Sequence, residues 1–258
     1  MDTKPGRGSS VLRRRYQMTE NKTALVAGGT GGIGEGLVQA LITGGYEVYV
    51  PVRDIDQTER LRDYVADSPS LHPVPANLCD ERAVAVMRDA VLRDRGRIDA
   101  VVVSVGAGYY GYRLHRMPRE DWDQSILDNL VTHFNTQRVF IDQLRRQNGG
   151  VYVTLIGPEA ENPGADAGMV SIMAAAQKMM TRVLAEESTD TKVRVHALTA
   201  HTTIHTRSRG ENTNPDWITA GELGQYVLGL IEARIPGHDQ VQHELRDLAH
   251  VRSMLGKR

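Results

Sequence analysis

The sequence is poor in the residues that build disulfides, membrane spans and aromatic cores. Its 258 residues include one cysteine, Cys79, two phenylalanines and two tryptophans. A lone cysteine excludes an internal disulfide framework and fits a reducing compartment, so a cytoplasmic location is expected. No apolar run approaches the ~20 residues needed to cross a bilayer, so no membrane partner is expected. Charge of either sign is also missing in net terms: 31 Lys and Arg face 32 Asp and Glu, a formal charge of −1. Proteins that work on nucleic acid ordinarily carry a basic excess, so nucleic acid is set aside as a partner. The length suffices for one α/β domain with a full core.

Basic residues do gather in one place. Lys4, Arg7, Arg13, Arg14 and Arg15 lie among Gly, Ser and Pro within residues 1–20. The segment has no apolar core of the kind a signal peptide carries. It reads as a disordered basic tail. An arm that touches substrate or a partner is the second reading.

From residue 21 to 258, strand and helix signals alternate. Strands are expected near 23–27, 46–52, 71–75, 99–104, 150–156 and 192–198, and helices near 32–44, 56–66, 81–95, 119–147, 168–187 and 218–235. This alternation predicts an α/β fold: a single Rossmann-type, doubly wound parallel sheet with helices on both faces. Right-handed crossovers bring the loops at the strand C-termini onto one edge, where ligands bind. Residues 200–216 are polar and loop-like.

The apolar run Thr23-Ala-Leu-Val-Ala27 leads into Gly28-Gly29-Thr30-Gly31-Gly32-Ile33-Gly34. Apolar residues at Leu37, Val38, Leu41 and Ile42 then follow at helical spacing. A glycine loop between a strand and a helix is a dinucleotide fingerprint. Gly28 permits a tight turn, Gly32 lets backbone approach a pyrophosphate, and Gly34 lets helix pack on strand. The helix N-terminus adds unpaired N–H groups and Thr30 a hydroxyl.

The spacing Gly28-x-x-x-Gly32-Ile33-Gly34 resembles the loop of the short-chain dehydrogenase/reductase family. The likeness continues in order through Asp99 to Gly106, Trp122 with Asn129-Leu130, Gly150 to Gly157, Thr181 to Ala185 and Val193 to His196, so it covers about residues 22–242. Ile235 to Gln242 resembles the family's final strand. The resemblance implies a nicotinamide cofactor and a lid over residues 200–216. It implies that Ser104, Val105 and Gly106 line the adenine-ribose side. Asn77-Leu78 stands where the family contacts adenine, and Thr203 near where its backbone holds the carboxamide. Arg53, after the second strand, matches the NADP-type ending, where a guanidinium pairs with the 2′-phosphate. NADPH is therefore expected over NADH.

The family's catalytic Ser, Tyr and Lys are missing. Counting back from Thr181-Arg182 puts the Tyr and Lys positions on Val170 and Ala174, and the Ser position falls on Gly157. Counting forward from Gly157 by the family's Ser-to-Tyr interval also reaches Val170. Val, Ala and Gly can neither donate a proton nor carry charge. Candidates for a substitute are Lys178, one helical turn past Ala174, and Tyr109, with Tyr110 and Tyr112 in the same loop. His133, His201, His205 and Ser171 are further candidates. Asn129 keeps the family's structural-catalytic position.

Two main readings follow. One is an atypical NADPH-dependent ketoreductase acting on a small-molecule ketone. Short-chain reductases with eroded catalytic residues occur among tailoring enzymes of aromatic polyketides, where the substrate itself can supply the proton. The other is a catalytically inactive cofactor-binding scaffold or sensor. A third reading uses the pocket for a non-redox dehydration or cyclisation. Drift would damage the glycine loop and Arg53 as well as the triad; both are intact, which favours the enzyme. The Ala- and Met-rich helix 168–187, with that at 119–147, is expected to pair across subunits in a homodimer or homotetramer.

Overall fold

The computed structural model describes residues 22–211 and 214–257; the basic tail expected over residues 1–20 lies outside them. Strand β1 (Thr23–Ala27) is buried along its whole length. So is β4 (Ala100–Val103), whose sequence is Ala followed by three valines. Continuous apolar strands of this kind belong in the middle of a parallel sheet covered on both faces. The sheet order is β3-β2-β1-β4-β5-β6-β9, with every pairing parallel. The remaining members are β2 (Glu47–Val52), β3 (Leu71–Pro75), β5 (Gly150–Ile156), β6 (Val193–Ala200) and β9 (Gln242–Leu245). This is the expected doubly wound sheet.

On one face pack α1 (Gly32–Thr43) and α7 (Ala220–Ile231), with Leu37, Leu41, Leu223 and Val227 against Val26, Val48 and Val102. On the other lie α3 (Glu81–Arg95) and α5 (Thr132–Arg146), which bury Val84, Met87, Phe140 and Leu144 against Leu25, Val101 and Tyr152. Helix α2 (Ile55–Tyr64) follows β2, and α8 (Leu248–Met254) closes the described chain. Among the described residues no helix is long and apolar enough to cross a membrane.

Three segments depart from the sequence reading. The helix expected over 119–147 is α4 (Arg119–Ile126), a π turn (Leu127–Val131) and α5. One extra residue in a turn leaves the apolar period almost intact, so the pattern does not register it. The final strand lies at Gln242–Leu245 and not over 235–242, because Pro236-Gly237 turns the chain and Gln240 N–H bonds Gly237 C=O at 2.8 Å. The expected helix 218–235 is trimmed at both ends. Ile218–Thr219 (β8) pairs with Ile204–His205 (β7) inside the supposed loop. The Thr219 hydroxyl then caps α7, accepting from Glu222 N–H at 3.1 Å, and the left-handed Ala233 stops it.

Helices α1 and α7 touch through glycines. A Cβ on Gly224 would stand 2.3 Å from Gly36 O, and one on Gly36 2.3 Å from the Ala220 backbone. A Gly36→Ala substitution must therefore push two backbones apart. The expected loss is about 1–3 kcal/mol in urea unfolding, the range for overpacked contacts, against near neutrality for alanine at the open Gly221.

Buried imidazoles add an acid limit. His133 bonds Val105 C=O at 2.9 Å. His196 and His243 form a cluster with Tyr226 between β6, β9 and α7. Burial drives His133 and His196 from the ordinary 6.5 down to about 4, and lowers His243 as well. The unfolded chain then binds protons that the folded chain refuses. Stability is full above pH 6.5 and falls as the pH drops toward 4, by about 3 kcal/mol for each fully buried histidine. Urea midpoints measured across that window should decline steeply, and His133→Asn should flatten the slope by about one proton.

Candidate active site

The C-terminal ends of β1, β2, β4, β5 and β6 open onto a trough. It begins at the glycine loop. Gly28 has φ +84°, and a Cβ there would stand 2.3 Å from Ser104 O. A Cβ on Gly34 would stand 2.0 Å from Gly28 O, so α1 starts pressed onto the end of β1. Gly31 caps α1 without a side-chain bond, and the first-turn N–H groups have no intrahelical acceptor. Gly29 is packed between Val38 and Val50 and shapes the loop from below.

Two cavities flank this loop and share Val105, Gly106 and Ala107. The smaller, of about 240 Å³, is lined by Gly28, Thr30, Arg53, Asn77, Leu78 and Cys79. Asp54 accepts from Gln57 N–H at 2.8 Å as the cap of α2, so it stays out of the cavity that Arg53 enters. The larger, of about 730 Å³, is lined by Gly32, Ile33, Ser104, Asn129 and Thr203, among others. The glycine cradle, helix terminus and paired cavities fit an extended dinucleotide, which these lining residues would hold. Of the residues expected to hold it, Gly29, Gly31 and Gly34 shape the loop and do not line either cavity.

The larger cavity brings Gly157, Val170 and Ala174 together on one wall. They lie at the end of β5 and on the first turns of α6 (Gly168–Glu187). Asn129 is buried above them. Its amide donates to Ser125 O at 3.1 Å and accepts from Ala107 N–H at 3.1 Å. Its backbone carbonyl, within the π turn, accepts from Gln177 Nε2 at 2.9 Å. Gln177 was not among the sequence candidates. Its position three residues past Ala174, on the same helix face, was the available signal.

Two expected catalytic residues are elsewhere. Lys178 does not line the cleft. Its ammonium is buried between Glu161 Oε1 at 2.7 Å and Glu244 Oε1 at 2.9 Å, and His201 bonds the other oxygen of Glu244 at 2.5 Å. Burial pulls the Lys178 pKa down, but the two carboxylates outweigh it and hold it above the ordinary lysine value. Helical spacing placed Lys178 correctly along the axis but could not show the carboxylates from two other segments. The atoms of Glu161, His201 and Glu244 are close enough to hold a cation, and the Lys178 ammonium supplies that positive charge.

Tyr109 also turns away from the cleft, donating to Asp128 Oδ2 at 2.8 Å. Burial and the Asp128 carboxylate push its phenol up to about 12. Tyr110 takes the place in the cleft, where it meets Glu159. Glu159 is the second residue that sequence reasoning passed over, although it stands two positions after Gly157. His133 is a satisfied core residue. The Ser171 hydroxyl is spent on Ala167 O at 2.8 Å, and His205 stacks on Trp217.

Part of the segment expected to act as a lid is tied to α1 and α2. Arg207 reaches Glu35 Oε1 at 2.8 Å and Asp63 Oδ2 at 2.9 Å. Its neighbour Thr206 lies over Gly32, where a Cβ would be 2.9 Å away. Burial raises the Glu35 carboxyl despite the guanidinium beside it. Ser208 and Arg209 face the larger cavity, and Arg209 also lies over the Trp217 ring.

Known proteins share this fold. The chain is 32% identical over 139 residues to acetoacetyl-CoA reductase of Acinetobacter sp. (strain RA3849), covering 52% of this chain and 55% of that protein. Its fold superposes with a TM-score of 0.77 on 3-ketoacyl-(acyl-carrier-protein) reductase from Brucella melitensis complexed with NADH, at 20% identity, covering 90% of this chain and 99% of that one. ElxO with NADP bound gives a TM-score of 0.77 at 15% identity, over 88% and 96% of the two chains. The sequence pattern of the short chain dehydrogenases matches residues 22–216. With that match, the parallel sheet and the glycine cradle at its edge, the chain belongs to the short-chain dehydrogenase family.

Proposed function

We propose that this chain is an NADPH-dependent ketoreductase that works without its family's Ser-Tyr-Lys triad. The carrying observation is the contrast within one trough. Gly28, Thr30, Arg53 and Asn77 line the smaller cavity and Gly32 and Ile33 the larger, which supports cofactor binding, whereas Gly157, Val170 and Ala174 offer the larger cavity no proton donor. When bound, a reduced nicotinamide supplies the hydride. The chain's own residues orient and enclose: Asn129 and Gln177 fix the π turn, and Arg207 holds the lid segment over the loop.

General acid catalysis is typically worth about 10²–10⁴-fold. A site without it favours a substrate that protonates its own carbonyl oxygen, such as a phenol adjacent to the ketone. The apolar wall of Leu155, Met173, Val170 and Ala174, with Tyr110 at the mouth, suits a flat aromatic polyketide ketone. The departure is of the type found in the ketoreductase of simocyclinone biosynthesis, which acts on an angucyclinone.

The preference for NADPH rests on Arg53, whose exposed guanidinium borders the smaller cavity. Titration of the purified protein should show tighter binding of NADPH than NADH. Arg53→Ala should weaken NADPH about tenfold, the worth of a charge-assisted hydrogen bond, and leave NADH nearly unchanged. Equal loss of both would remove the assignment. Binding of neither would favour the scaffold reading, and turnover of ketones without NADPH oxidation a dehydration or cyclisation.

A homodimer or homotetramer belongs to the same proposal. Ile172, Met179 and Val183 recur along one side of α6 with exposures of 36%, 53% and 46%, and Leu127 and Phe134 are 42% and 47% exposed on the neighbouring helical run. Exposed apolar residues at this density favour a covering surface. Light scattering at micromolar concentration should give a multiple of the 28.5 kDa chain mass, and Phe134→Glu with Val183→Glu should reduce it to that mass.

A further inference from the structure

The wall formed by Gly157, Val170 and Ala174 also carries a carboxylate. Glu159 lines the larger cleft from the turn after β5. Its Oε2 lies 2.4 Å from where a Cβ on Gly157 would stand. The carboxylate thus occupies the volume that a side chain at position 157 would fill. Its Oε1 accepts from the Tyr110 hydroxyl at 3.3 Å, longer than the usual ~2.7–2.8 Å for such a bond. Its Oε2 has no hydrogen-bond partner among the described residues. Val170, Met173 and Ala174 across the cleft offer it nothing.

This inverts the hydrogen-bonding polarity of the wall. A hydroxyl can donate to a carbonyl oxygen; an ionised carboxylate only accepts. It repels the lone pairs of a ketone and attracts an O–H. Arg209 faces the same cleft but lies over the Trp217 ring and makes no ion pair with Glu159 among the described residues, and the other titratable groups nearby do not compensate it. Tyr110, from the loop after β4, already faces it, and burial and then Glu159 raise the Tyr110 phenol. His201 from the lid is held by Glu244, and Lys178 by Glu161 and Glu244.

We infer that Glu159 is a specificity-determining residue that accepts a hydrogen bond from a hydroxyl of the ligand, so that the cleft selects hydroxylated aromatic ketones, or the corresponding alcohols, over bare or O-alkylated ones. This rests on the reductase reading for the ketone but not for the hydroxyl. The hydroxyl that Glu159 holds is not the one that protonates the carbonyl, since a neighbouring carboxylate makes an O–H a poorer acid. The selected substrate therefore carries a second hydroxyl or draws its proton from water.

The test is calorimetric titration of the full-length protein with hydroxyacetophenone, its hydroxyl meta to the ketone, and with its methyl ether. Each ligand is titrated with and without NADPH. The wild type should bind the phenol about tenfold more tightly than the ether, the worth of one hydrogen bond to a charged acceptor. Glu159→Gln, a neutral acceptor, should keep a few-fold preference, and Glu159→Ala none. Gly157→Ser, which sets a Cβ against Oε2, should also lose the preference by displacing the carboxylate. Equal affinity for phenol and ether in the wild type overturns the inference, as does failure to bind either or an unchanged preference in Glu159→Ala. A preference that survives without any NADPH binding would retain this inference and defeat the reductase reading.

Discussion

The contact between Gly34 and Gly28 sets the geometry of everything functional in this protein. With no side chain at either residue, the first turn of α1 lies directly on the carbonyl that ends β1. Any Cβ at position 34 would lift the helix off the strand. That contact fixes the glycine loop, aims the unpaired N–H groups of the helix along the sheet edge and separates the two cavities on either side of it. A second glycine contact, Gly36 against Ala220 and Gly224 against Gly36, then locks α7 to α1. Since α7 begins where β8 ends, the same contact anchors the β7–β8 pair, and Arg207, just after β7, reaches Glu35 on α1.

Within this frame the two halves of the trough have diverged. The loop and the smaller cavity hold groups suited to phosphate and ribose: backbone donors, a hydroxyl, an exposed guanidinium and an amide. The wall of the larger cavity formed by Gly157, Val170 and Ala174 carries apolar groups and the Glu159 carboxylate. The Lys178 ammonium is engaged elsewhere. Lys178 is neutralised by Glu161 and Glu244, which tie the turn after β5, α6 and β9 to one another. A buried ammonium between two carboxylates is a poor proton source, because releasing its proton would leave both carboxylates without their counter-charge. Gln177 holds the Asn129 carbonyl without any charge at all.

Much of this was legible in the chain itself. Continuous apolar runs gave the central strands, and the glycine spacing placed the loop. The π turn escaped because it alters hydrogen bonding without altering the apolar period. The final strand was shifted because Pro236-Gly237 breaks the chain inside a stretch whose composition still looks like strand. Tyr109 and Tyr110 are adjacent, chemically identical and opposite in orientation, and only the backbone decides which one faces the cleft. Glu159 and Gln177 lie close in sequence to positions already singled out, yet a charged residue in a turn and an amide in a helix are ordinarily solvent-facing.

Fold class and family could be read from the chain alone, because these depend on local periodicity, glycine conformational freedom and residue spacing along single elements. Tertiary structure alone decided which side chains meet in the cleft. Lys178 is paired away by residues 17 and 66 positions distant, and Arg207 reaches a glutamate 172 positions earlier. Such partners are set by the crossovers of the sheet, and the energy of an ion pair or hydrogen bond depends on distances of a few ångströms that no linear pattern records.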